Sequence, residues 1–210
     1  DAVVSATGVS EVAGIGGGAN VNGCPVNISG GRVRAFGGQE SGGPYGGAGI
    51  GGGDNGSAGP IAISGGVVTA TAGGAAAGIG GGNMGGADSI SIGGTAVVTA
   101  YGGTDASGTR GGAGIGAGRS VYPYGFGSIA LSGGCVVRAY AGANAQAIGV
   151  GTDYVRHNDD TIDDPNKLSI GKDADVWMFN RDTTWGAFWG QNADGTLNGA
   201  FVSGDAALVW

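Results

Sequence analysis

Residues 48–71 read AGIGGGDNGSAGPIAISGGVVTAT, and this stretch decides the fold because its three parts recur along the chain in the same order. The first part, AGIGGG, stands also at 13–18 and 77–82, as AGIGAG at 113–118 and as QAIGVG at 146–151. Its isoleucines, Ile15, Ile50, Ile79, Ile115 and Ile148, follow one another at steps of about 30 to 36 residues, the period of a stacked repeat. The second part is a pair of branched apolar residues two apart: Val26 and Ile28, Ile61 and Ile63, Ile90 and Ile92, Ile129 and Leu131, Leu168 and Ile170. The third is VVTA or a variant, ending at Phe36, Thr71, Tyr101 and Tyr140, with Val4-Ser5-Ala6-Thr7 matching it at the start.

Each part alternates apolar and non-apolar residues with period two and is too short for a helix, so each reads as a half-buried strand. Gly-Gly pairs between them supply corners that a β-branched residue could not turn cheaply. The expected fold is therefore all-β: a right-handed parallel β-helix, or β-solenoid, of about six coils with three short strands per coil. Stacking at about 4.8 Å per coil then buries the Ile15 column, the Ile28 column and the Val33 column with its Ala35 companions. Length changes fall mainly at the corner between third and first parts, where 37–47 and 102–112 are long and 72–76 is short, as solenoids tolerate them on one edge. Residues 1–167 form the Gly-rich coils. Residues 168–210, with Trp177, Phe179, Trp185, Phe188, Trp189, Phe201 and Trp210, read as bulkier terminal coils or a cap of the same domain.

Composition limits the function classes. Gly at 53 of 210 residues would suggest low complexity, but 41% hydrophobic and 12% charged residues, with Val and Ile at regular intervals, argue for a packed core. A formal charge of −7 argues against nucleic acid or an anionic membrane surface as partner, and no apolar run approaches the length of a membrane span. Cys24 and Cys135 fall in different corners about three coils apart, beyond the reach of a disulfide, so both are expected as free thiols. The opening DAVVSATG lacks the basic head and long apolar stretch of a secretory signal, so the chain reads as a mature or excised segment of a longer one.

The AGIGGG, ISGG and VVTA segments resemble the Gly-rich repeats of large cell-surface proteins from Gram-positive gut bacteria, often labelled carbohydrate-binding domains, and the coil plan resembles pectate-lyase-like β-helices. The resemblance covers nearly the whole chain. It implies a solenoid on an exported protein at the bacterial cell surface; no catalytic motif of the lyase or polygalacturonase families can be placed on these residues, and function carried by fold alone is a weak warrant.

Alternation in the third part leaves two outward columns, Ser5, Arg34, Thr69, Thr99, Arg138 and Thr7, Phe36, Thr71, Tyr101, Tyr140. Rings beside guanidinium and hydroxyl groups on a flat rigid sheet suit a saccharide, whose apolar face stacks while its hydroxyls bond. The same residues also simply suit exposed strand positions. The loop RSVYPYGFGS adds Tyr122, Tyr124 and Phe126 on a rigid scaffold, either as a binding loop or folded over a neighbouring coil. The candidate ligand-binding set is thus Arg34, Phe36, Thr99, Tyr101, Tyr122, Tyr124, Phe126, Arg138 and Tyr140.

No cofactor is expected. The loop 152–167 reads as a solvated acidic loop, with Ca²⁺ as the alternative at Asp159, Asp160, Asp163 and Asp164. Its lone His157 and the two distant cysteines cannot supply a zinc set. Polysaccharide cleavage would need paired carboxylates on one face, whereas the outward columns carry none and the only glutamates, Glu11 and Glu40, sit at connections. An ice-binding lattice would need the Thr69 and Thr71 pair on every coil, which the neighbours replace. These readings point to a non-catalytic extracellular module for a glycan or a host-surface glycoprotein. The alternatives are a structural stalk segment of a large surface adhesin and a fragment of a polysaccharide-degrading β-helix enzyme.

Overall fold

A computed structural model describes residues 2–120, 126–153, 168–179, 190–191 and 197–198. Among them there is no helix, and the strands form three parallel sheets that the chain visits in rotation, which is a parallel β-helix.

The broad sheet has six strands, Val3–Thr7, Arg32–Phe36, Val67–Thr71, Val97–Tyr101, Val136–Tyr140 and Asp175–Phe179, each paired with its counterpart one coil on. The third sheet runs Val26–Ile28, Ile61–Ile63, Ala87–Ile92, Phe126–Leu131 and Leu168–Ile170. It continues to Gly190–Gln191, which pairs parallel to Ser169, and to Leu197–Asn198, which closes on Gly190–Gln191 antiparallel. Between them lies a narrow sheet of five two-residue strands, Ile15–Gly16, Ile50–Gly51, Ile79–Gly80, Ile115–Gly116 and Ile148–Gly149.

The narrow sheet is shorter than the alternation of AGIGGG suggests, and its glycines give the reason. Gly51 and Gly80 hold φ of 138° and 136°, a region that L side chains rarely adopt, and a Cβ on Gly80 would run into the carbonyl oxygen of Gly116. The strand therefore ends one residue after each isoleucine, and the coil turns there.

Register makes the repeat literal. Ile15, Ile50, Ile79, Ile115 and Ile148 are stacked partners, as are Val26, Ile61, Ile90, Ile129 and Leu168, then Ile28, Ile63, Ile92, Leu131 and Ile170. On the broad sheet the inward columns are Val4, Val33, Val68, Val98, Val137, Val176 and Ala6, Ala35, Ala70, Ala100, Ala139, Met178. These columns make one continuous core, buried throughout its middle coils.

The long connections 37–47 and 102–112 each close into a small loop through an antiparallel bridge, Gln39 with Gly46 and Thr104 with Gly111. Both loops leave the same corner, on alternate coils, as expected from the sequence. Cys24 is exposed, Cys135 is buried at the corner before Val136–Tyr140, and both are free.

Candidate functional site

The broad sheet's outer face is the surface the two outward columns predict. Register aligns Ser5, Arg34, Thr69, Thr99, Arg138 and Trp177 in one column and Thr7, Phe36, Thr71, Tyr101, Tyr140 and Phe179 in the next. A third outward column at the strand starts runs Val3, Arg32, Val67, Val97, Val136 and Asp175. Every side chain here is held by a strand stacked on both sides, except at the two ends, so its position is fixed by the backbone ladder rather than by a loop.

The aromatic column is a ladder in its second half. The rings of Tyr101 and Tyr140 lie 4.7 Å apart at 16°, and those of Tyr140 and Phe179 lie 4.3 Å apart at 2°. Parallel in-register strands place equivalent side chains one coil apart, which is the natural stacking distance of two rings. Both faces of Tyr140 are consequently covered by neighbouring rings, and it presents only an edge to solvent. Tyr101 has one face on Tyr140 and its other face turned towards Thr71. Phe36 lies one coil beyond Thr71 and belongs to no stack among the described residues. Phe36 and Tyr101 are each 39% exposed.

Charge is distributed unevenly. The chain carries nine Lys and Arg against sixteen Asp and Glu, yet the broad face holds Arg32, Arg34 and Arg138 against one carboxylate, Asp175. Asp175 accepts a hydrogen bond from Trp177 Nε1 at 2.8 Å. Among the described residues, ion pairs form only elsewhere: Asp153 receives Arg119 at 2.8 Å and Arg110 at 3.3 Å. Arg34 and Arg138 thus project from the face with no carboxylate partner in that set. Arg34 is exposed, and Arg138 half-buried between Thr99 and Trp177.

Trp177 and Phe179, which the sequence places among the aromatics of the terminal coils but outside the candidate ligand-binding set, extend both columns by a coil. The signal was present: LSIGKDADVWMFN carries the second part, a corner and a V-x-M-x version of the third, with Met in the alanine column. Tyr122 and Tyr124 lie outside the described residues, and of Phe126 only the backbone, paired with Ala87, is described. Asp159, Asp160, Asp163 and Asp164 also lie outside them. Among the described residues, no group of three or more His, Cys, Asp or Glu could hold a metal ion.

A separate polar cluster sits at the corner beside the narrow sheet. Asp54 is 1% exposed and accepts from Asn83 Nδ2 at 2.7 Å, Gly46 N at 3.2 Å and Asn55 Nδ2 at 2.8 Å. Burial pushes its carboxyl above the ordinary range, against the pull of the bonds from Asn83 and Gly46. Nearby, the Glu11 carboxyl is also raised, first by a hydrogen bond with Glu40, then by burial and by the charge of Asp54. The sequence placed these glutamates at connections; stacking of coils brings them together.

No protein-family model, no curated protein and no solved structure matches this chain. The class of protein is therefore set by the architecture itself: a parallel β-solenoid with one face of mixed aromatic, hydroxyl and guanidinium side chains.

Proposed function

We propose that this chain is a non-catalytic, extracellular binding module for a glycan, displayed free or on a host-surface glycoprotein, and that the outer face of the broad sheet is its binding surface. The observation that carries this reading is the coincidence, on one rigid face, of exposed rings with arginines that no carboxylate neutralises among the described residues. Rings without charged neighbours would serve strand stacking alone, and arginines without rings would serve solubility. Together they match a sugar's two chemistries, an apolar ring face and a polar rim.

The rival reading is a structural stalk, and the Tyr101, Tyr140 and Phe179 ladder favours it, because rings that stack on each other stabilise the solenoid without any ligand. An enzyme is the less supported alternative. Among the described strand residues the broad face carries one carboxylate, Asp175, where polysaccharide cleavage would need a pair on one face.

The deciding experiment is a broad glycan array probed with the whole chain, followed by titration of the strongest hit. A saturable hit that weakens several-fold in Arg34→Gln and Tyr101→Ala supports the module. An array with no hit above background leaves the stalk. Release of shortened saccharide from a hit would move the assignment to an enzyme.

A further inference from the structure

The aromatic column has one interruption, and its size is informative. Phe36, Thr71 and Tyr101 occupy successive coils at the same register position, so two coil steps, about 9.6 Å, separate the two rings' strands. Where rings occur on adjacent coils they close onto each other at 4.7 and 4.3 Å. Across Thr71 they cannot, and the short, half-buried threonine leaves a slot with Phe36 on one side, Tyr101 on the other and Thr71 as its floor.

Contact distances select what fits such a slot. A flat aromatic guest touching both walls needs about 7 Å between them, twice the ~3.5 Å carbon contact, and would be loose at two coil steps. A puckered pyranose with axial hydrogens on both faces needs about 8–9 Å. The slot is also asymmetric. One flank opens over the corner glycines and alanine, Gly37, Ala72 and Gly102; the other meets the Arg34, Thr69 and Thr99 column two residues earlier on each strand. A sugar seated between the rings therefore directs substituents at two hydroxyls and at an exposed guanidinium with no carboxylate partner among the described residues.

We propose that the slot between Phe36 and Tyr101 over Thr71 receives one pyranose ring, and that Arg34 selects a ring bearing an anionic group, so that the ligands are acidic glycans. This rests on the glycan-binding reading above and narrows it to one subsite and one charge class. A guanidinium pairs with a carboxylate or sulfate through two parallel hydrogen bonds, which a neutral hydroxymethyl group cannot match. Exposure of Arg34 places this pairing within reach of salt screening.

The test compares matched probes: an oligogalacturonate tetramer and its methyl ester, a hyaluronan tetrasaccharide and its carboxyl-reduced form, and 3′-sialyllactose with lactose, each titrated against the whole chain. At least one acidic member is expected to bind about tenfold or more tightly than its neutral partner, with the preference shrinking as salt rises. Arg34→Gln should abolish the preference. Thr71→Tyr should fill the slot with a further rung of the ladder, preserve the strand signature and melting temperature, and abolish binding of the acidic probe. Phe36→Leu, which keeps an apolar side chain but removes one wall, should weaken it several-fold.

Equal binding of acidic and neutral partners, or undiminished binding by a folded Thr71→Tyr chain, overturns the slot and its charge preference while glycan binding itself stands. If no probe and no array glycan binds, the glycan-binding reading fails and takes the slot with it.

Discussion

Asp54 and Asp105 are both acids at corners, and their surroundings push them in opposite directions. Burial raises Asp54, and the bonds it accepts from Asn83 and Gly46 do not fully offset this. Burial also acts to raise Asp105, but the hydroxyl of Ser107 and the backbone amides of Arg110 and Thr109, donating at 2.7, 3.0 and 3.0 Å, prevail and lower it. The signs of linkage follow. A raised carboxyl favours the fold below its unfolded value of 3.8 and loses that contribution as pH rises through the folded value. A lowered one contributes above 3.8 and loses it as pH falls through the folded value. Asp54→Asn keeps an acceptor for Gly46 and Asn83 and removes the buried charge, while exposed Asn55 can turn its own carbonyl to the new amide. It is expected to melt at or above the wild-type temperature at pH 7, with the gap closing below about pH 4. Asp105→Ala frees two backbone amides in the 102–112 loop and should cost about 1–3 kcal/mol at neutral pH, the penalty fading in acid. Melting curves from pH 3 to 8 measure both; equal pH slopes in both variants and wild type would contradict the assignment.

The thiols separate at the same scale. Burial also pushes the Cys135 thiol above its usual range, and Cys24 is exposed. A thiol-reactive dye at pH 8 should label one cysteine in the native chain and two after unfolding, and the intact mass should show no hydrogens lost. Two native labels, or none after unfolding, would put the corner assignment in error.

At the scale of the element, the strands were legible because parallel in-register stacking makes the alignment of repeats and the register of strands the same thing. Once Ile15, Ile50 and Ile79 were aligned as text, their pairing was fixed, and so was the side each neighbour faces. What text could not supply is how a side chain uses its neighbours. Tyr101 and Tyr140 were readable as successive coils, but whether two rings on one column present faces to solvent or close on each other depends on χ angles, which periodicity does not encode. The two-residue length of the narrow sheet was hidden for a similar reason, since it follows from the φ of the glycines. A stability difference follows from the ladder. Tyr140→Ala removes two ring contacts and Tyr101→Ala removes one, each worth about 0.5–1.5 kcal/mol beyond area, so the first should lower stability about twice as much through stacking. Urea titration of both variants checks this; equal losses would mean the stacks contribute little.

For the whole molecule, coil-on-coil stacking makes stability nearly one-dimensional, so the cost of a substitution depends on how many neighbours its coil has. Ile79 is fully buried between Ile50 and Ile115, whereas Ile15 is half-buried on the first coil with Ile50 on one side. Ile79→Ala should cost about 2–5 kcal/mol and Ile15→Ala clearly less, which chemical denaturation can compare directly. Far-ultraviolet circular dichroism should show strand with no substantial helix.

The interrupted aromatic column gives the solenoid a property of measuring instruments, a graduated scale. Distances along the face come only in whole coil steps of about 4.8 Å, so the separation of any two side chains in a column is set by counting coils and resists small drift. Excising residues 37–71 removes one full turn and joins Phe36 to Ala72, which carries Phe36 one graduation closer to Tyr101 and lets the two rings touch. Evolution by gain or loss of a coil can therefore retune such a gap only in jumps, one graduation at a time, with no intermediate width for selection to refine.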